Sequence, residues 1–145
     1  GLVPTGEVEA VIAALGSRRQ PDVHDSITNA ITSAAQRAAN EIGAAAILCI
    51  SQSGFTVRSV ARYRPRAKVL GFSPEPRTIN QLALSWGTTP YLLEASGASD
   101  ELTERAIALA VAKGEIRSGD VVVVAAGSEF AKGRVTDTVR IITVP

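Results

Sequence analysis

The chain has no methionine, one cysteine, one histidine and one tryptophan, and only 4% of it is aromatic. A lone cysteine excludes an internal disulfide. Its place inside the apolar run 45–50 makes Cys49 a buried core thiol rather than a nucleophile. His24 has no second histidine or cysteine nearby, which removes a zinc-type ligand set. Its separation from Cys49 argues against a Cys/His nucleophile. Excess charge is lacking too: 15 Lys and Arg against 14 Asp and Glu leave a net +1. Nothing therefore draws the whole chain to nucleic acid or to a membrane. No apolar run nears the roughly 20 residues of a membrane span, and no signal-peptide pattern opens the chain. The expectation is a cytoplasmic protein. The missing methionine, with Gly1 first, points to a chain processed or cut from a longer one, with Gly1–Thr5 as added sequence.

What is present suits one globular domain: 145 residues, 46% hydrophobic and 20% charged, enough to bury a core. Val8, Val11, Ile12 and Leu15 recur at helical spacing before Gly16. A second helix is capped by Asp25 or Ser26 and carries Ile27, Ala30, Ile31, Ala34, Ala38 and Ile42 on one face, ending at Gly43. Strands are expected at 45–50, 68–72, 89–93, 121–126 and 139–144. Helices fall between them, one opened by Pro76 and carrying Ile79, Leu82, Ala83 and Trp86, another running from Asp100 to Lys113. Alternating strands and helices imply right-handed crossovers and a parallel sheet covered on both faces. The near-continuous apolar runs 45–50 and 121–126 suit central strands. No helix separates the last two strands, so the final one is expected antiparallel at the edge. Pro90 places the 89–93 strand at an edge or strand start.

The most informative stretch is Ala45–Tyr63, AAILCISQSGFTVRSVARY. An apolar strand breaks into Ser51-Gln52-Ser53-Gly54, and a helix begins at Phe55. The first N–H groups of a helix lack intrahelical partners and carry partial positive charge. Ser51, Ser53 and Thr56 supply hydroxyls, and Gly54 allows close backbone approach. Spacing alone leaves two readings open: a phosphate cradle, or a capped helix start. The loop Gly127–Arg134 follows another apolar strand and offers Lys132 and Arg134; it is equally readable as a hairpin loop. In open α/β sheets, ligands sit at the carboxyl ends of strands where the order reverses. Enzymatic chemistry is hard to find. Residues 51–56 lack the Walker pattern, no Gly-x-Gly-x-x-Gly follows the first strand, and Asp100, Glu101 and Glu104 are acids in a helix's first turns.

Taken together, SQSGFTVRSVARYRP, KVLGFSPEPRTINQLALSWGTTPYLL, the Gly-Asp turn before VVVVAAG and the ending TDTVRIITVP resemble the C-terminal domain of pyruvate kinase. DSITNAITSAAQRAANEIGAAAIL resembles that domain's leading helix and first strand. The resemblance spans about residues 22–145, leaving 1–21 as an N-terminal helix and linker. It implies a three-layer α/β/α fold with a five-stranded mixed sheet of order 3-2-1-4-5, the last strand antiparallel. It also implies a non-catalytic, allosteric part of a glycolytic transferase, whose catalytic residues, Mg²⁺ and K⁺ belong to a barrel domain. On the same resemblance, Ser51, Gln52, Ser53, Gly54, Phe55 and Thr56 hold the phosphate of a phosphorylated sugar or nucleotide. The loop of Gly127, Ser128, Lys132, Gly133 and Arg134 closes over it. Gln52 stands where some members carry lysine. A homo-oligomer through Val139–Val144 is the implied assembly, with the barrel domain as partner in a full-length enzyme. Alternatives are a free-standing phosphometabolite-binding protein, or an association module whose site has decayed.

Overall fold

Each apolar run of the sequence becomes a strand in the computed structural model, which describes residues 23–94, 98–127 and 136–145. The elements are α1 (Val23–Ile42), β1 (Ala46–Ile50), α2 (Phe55–Ala61), β2 (Lys68–Ser73), α3 (Pro76–Leu82), β3 (Thr88–Leu92), α4 (Ser99–Ala112), β4 (Val121–Ala126) and β5 (Thr138–Thr143). The helix expected over Glu7–Leu15 lies outside the described residues. The sheet runs β3-β2-β1-β4-β5. β1 pairs in parallel with β2 and β4, β2 in parallel with β3, and β4 antiparallel with β5. The expected order and antiparallel edge are therefore both observed. Pro90 is on β3, an edge strand, where a missing N–H does not break a central ladder.

Alternation along the strands divides the core into two layers. Ile47 and Cys49 of β1, with Val123 and Ala125 of β4, face Ala35, Ala39, Val57, Val60 and Leu82 from α1, α2 and α3. Leu48, Leu70, Phe72, Val122 and Val124 face Leu102, Ala106, Ile107 and Ala110 of α4. β1 is buried along its whole length, as its unbroken apolar sequence requires. Cys49 is fully buried, and this desolvation pushes its thiol pKa up to about 12. On the other side of the sheet Tyr91 stacks with Phe72, ring centroids 5.8 Å apart. Burial, and then the Glu115 carboxylate accepting from its hydroxyl at 3.2 Å, raises the phenol above its ordinary value.

Two expectations are corrected. α1 starts at Val23, ahead of the Asp25 or Ser26 cap, and its buried face is not the isoleucine–alanine stripe. Thr28, Thr32, Ala35 and Ala39 are the buried positions, while Ile27 and Ile42 are 39% and 45% exposed. Burial of two threonines is possible because both hydroxyls are bonded. Thr32 Oγ1 donates to the Asn29 carbonyl (3.1 Å), and Thr28 Oγ1 accepts from the Thr136 N–H (3.2 Å). Likewise α3 stops at Leu82, so Trp86 lies beyond it and is 64% exposed instead of packed on the helix's inner face.

Among the described residues, no helix is long and apolar enough to cross a membrane.

Candidate functional site

The strand order reverses between β1 and β4: the chain moves outward from β1 through β2 and β3, then returns to the other side. Loops leaving two such parallel neighbours emerge side by side, forming the crevice where open α/β sheets take ligands. The turn Ser51–Gly54 leaves β1 at this point, and Gly127 leaves β4 beside it. Ser128, Lys132, Gly133 and Arg134 lie outside the described residues. Where the chain is described again, Thr136 is buried, and its hydroxyl meets that of Thr56 in the first turn of α2. Its N–H is held by Thr28 of α1. Thr136 is thus pinned against the helix that starts at the 51–56 turn.

The turn is held by bonds that local sequence does not reveal. Gly54 is the residue before α2, with φ 82° and ψ 0°, a left-handed conformation that an L side chain resists. Its N–H donates to Ser51 Oγ at 3.0 Å, and the Phe55 N–H donates to Ser53 Oγ at 3.3 Å. The carbonyls are bound from a different direction in sequence. Ser73 Oγ and Thr78 Oγ1 both donate to the Gln52 carbonyl, at 3.0 and 2.8 Å, and Arg58 Nη1 donates to the Ser53 carbonyl at 3.3 Å. Ser73 in turn accepts from the Glu75 N–H at 3.2 Å. Ser51 and Thr56 are buried, Ser53 and Phe55 are exposed, and Gln52 is intermediate.

This arrangement has a chemical consequence. A backbone turn repels an anion when its carbonyl oxygens face the site, and attracts one when its N–H groups do. Here the acceptors at 52 and 53 are occupied by donors, while the amides of 54 and 55 bond hydroxyl oxygens of their own turn. Of the residues singled out from sequence, the structure brings Ser51 to Thr56 and Gly127 to one end of the sheet. Sequence reasoning missed Ser73, Thr78 and Thr136, which brace the turn from 21 to 80 positions away, and Thr28, which holds Thr136. No spacing rule connects them.

Two cavities border this part of the sheet or run from it. One of about 300 Å³ lies between α4 and the β4–β5 pair, bordered by Ala98, Thr103, Ala126 and Thr138. A second, of about 630 Å³, follows α4 and β5 to the last residues of the chain. Arg140 reaches across it to Asp100 at 3.1 Å, an exposed pair of little energetic weight. Among the described residues, no group of three or more His, Cys, Asp or Glu could hold a metal ion.

The fold and the position of this turn define the class: an α/β/α domain with a five-stranded mixed sheet and an amide-bearing turn at its switch point. A family model for the pyruvate kinase alpha/beta domain matches residues 29–142. Pyruvate kinase from Staphylococcus epidermidis is 30% identical over 125 residues, covering 86% of this chain and 21% of that enzyme. The enzyme from Clostridium acetobutylicum is 40% identical over 90 residues, or 62% of this chain and 19% of the relative. A crystal structure of a pyruvate kinase from Cryptosporidium parvum superposes with a TM-score of 0.73 at 25% identity, over 82% of this chain and 23% of that one. The chain belongs to the pyruvate kinase alpha/beta domain family, and it spans about a fifth of the length of the curated relatives it matches.

Proposed function

We propose that this chain is the regulatory part of a pyruvate kinase or a close relative, binding the phosphate group of a small effector at Ser51–Thr56. The observation that carries this reading is the occupation of the Gln52 and Ser53 carbonyls by Ser73, Thr78 and Arg58. It leaves a turn whose N–H and O–H groups are its available chemistry. A phosphate oxygen would replace Ser53 Oγ on the Phe55 N–H. That bond, 3.3 Å long, is at the weak end of hydrogen-bond geometry, and Ser53 is exposed and free to turn. The released hydroxyl then donates to the same phosphate. Ser51 stays on the Gly54 N–H and keeps the turn in shape. Gln52 adds an amide where a cation would add charge, so affinity rests on directed hydrogen bonds. The segment from Gly127 to Arg134 carries Lys132 and Arg134 in its sequence as candidate counter-charges.

An effector shifts an equilibrium only by binding one state better than another. For this chain the states would differ in association. β5 is an edge strand with Ile141 58% exposed, and an unpaired strand edge is a template for a second copy across a twofold axis. Phosphoryl transfer, with its Mg²⁺ and K⁺, would be the work of a barrel domain and not of these residues, so the chain alone turns over no phosphoenolpyruvate.

Calorimetric titration with a phosphorylated sugar tests the site. Ser53→Ala removes one donor and weakens binding by about 1 kcal/mol, roughly fivefold. Equal affinity in the two proteins would refute the assignment.

A further inference from the structure

At the opposite end of the sheet, where β1 and β2 begin, the chain carries its densest run of cations. Arg62, Arg64, Arg66 and Lys68 stand within seven residues, interleaved with Tyr63 and Pro65 and with no acid among them. All four cationic residues are exposed. The aromatic rings are used as supports: the Arg62 guanidinium lies 5.7 Å from the Tyr63 centroid, and that of Arg64 lies 5.0 Å from Trp86. Arg64 is the non-glycine residue with positive φ, 47°, among the described residues. A left-handed arginine directly before a proline is an unfavourable choice at a helix exit, where glycine is usual. What that conformation achieves here is a guanidinium stacked on the one tryptophan of the chain.

The same indole lines a cavity of about 340 Å³ together with Pro65, Arg66 and Lys68, and with Ala45 and Ala67 as apolar wall. Lys68 is shared with Glu115, whose carbonyl and carboxylate lie 3.1 and 3.6 Å from its Nζ. The Arg66 N–H is fixed on Asn40 Oδ1 at 3.2 Å, while its guanidinium has no partner among the described residues. The cavity therefore combines a flat apolar ring, a small aliphatic wall and one uncommitted planar cation. Its volume is at the lower end of small-molecule sites, too small for a polymer. We propose that it is a second ligand site, for a flat organic anion whose ring lies on Trp86 and whose carboxylate or phosphate pairs with Arg66.

Trp86 is the only tryptophan, so the ligand would report itself through intrinsic fluorescence. The experiment titrates the full chain with phenyl phosphate, benzoate, inorganic phosphate and phenol. A saturable change with at least one aryl anion, at concentrations about tenfold below those at which phosphate or phenol acts, supports the site. The two aryl anions distinguish a phosphate from a carboxylate preference. Arg66→Ala weakens the response about tenfold, as loss of a charge-assisted bond does, and Arg66→Lys restores part of it. Ser53→Ala, at the proposed effector turn, leaves the response unchanged, which separates this site from that one. The inference is overturned by the absence of saturation with both aryl anions, by an equal response to phenol or to phosphate alone, by an Arg66→Ala protein that circular dichroism shows folded and that responds as wild type, or by a response that Ser53→Ala abolishes.

Discussion

Replacing Gly54 by alanine strikes the turn at the point where its geometry is least negotiable. The backbone there has φ 82°, and an L residue in the left-handed region costs about 1 kcal/mol or more. An added Cβ would also lie 2.9 Å from Arg58 Nη1, 3.1 Å from Thr78 Cγ2 and 3.2 Å from Leu82 Cδ2. Arg58 is exposed and can swing away, giving up its bond to the Ser53 carbonyl. Thr78 and Leu82 are buried, and the Thr78 hydroxyl is tied to Gln52, so neither moves freely. Overpacking of this kind adds about 1–2 kcal/mol, for a total near 2.5 kcal/mol. Gly43, after α1, provides the control: φ is 64°, but nothing lies within 4 Å of its would-be Cβ. Gly43→Ala therefore carries the conformational penalty alone, about 1 kcal/mol. In urea, with m near 1.5 kcal/mol/M, the midpoint of Gly54→Ala should fall about 1 M further than that of Gly43→Ala. Coincident midpoints would refute the packing argument, and an unshifted Gly54→Ala would refute the backbone argument as well.

The remaining predictions concern the core and the edge. The Cys49 thiol, held near pKa 12 by burial, keeps its proton in the folded state while the unfolded chain releases it from roughly pH 8.5 upward. Its contribution is intact below that value and is lost as pH rises toward 12, at up to about 1.4 kcal/mol per pH unit. Cys49→Ala removes this slope, so between pH 9 and 10 wild type should lose about 1 kcal/mol more unfolding free energy than the variant; parallel losses would contradict the assignment. Ile141→Lys, on the exposed edge of β5, should give a smaller species in sedimentation velocity than wild type, and a wild type that is already monomeric ends the edge-association reading.

The central strands and the edges were legible from local facts, whereas the full order 3-2-1-4-5 came with the family resemblance. Two runs, 45–50 and 121–126, are apolar throughout, Pro90 marks an edge, and no helix fits between β4 and β5. The inner face of α1 was not, because hydropathy sorts Ile27 and Ile42 inward and Thr28 and Thr32 outward. The reverse holds once Thr136 supplies an N–H from 108 positions away and Asn29 a carbonyl from the same helix. Trp86 shows the same limit: its spacing from Leu82 continues a helical pattern that the chain abandons at Leu82. At the candidate site, Ser51–Thr56 could be read directly, since strand, turn and helix start are contiguous. Its supports could not. Ser73 and Thr78 act on Gln52 only because β2 lies beside β1, and that adjacency is a property of the sheet.

The most direct measurement of the central claim is an amide-resolved NMR titration of the full chain with a phosphorylated sugar. The account predicts saturable shifts centred on Ser53, Gly54, Phe55 and Thr56, lost or weakened in Ser53→Ala. Shifts confined to other residues, or none at these four, would contradict it.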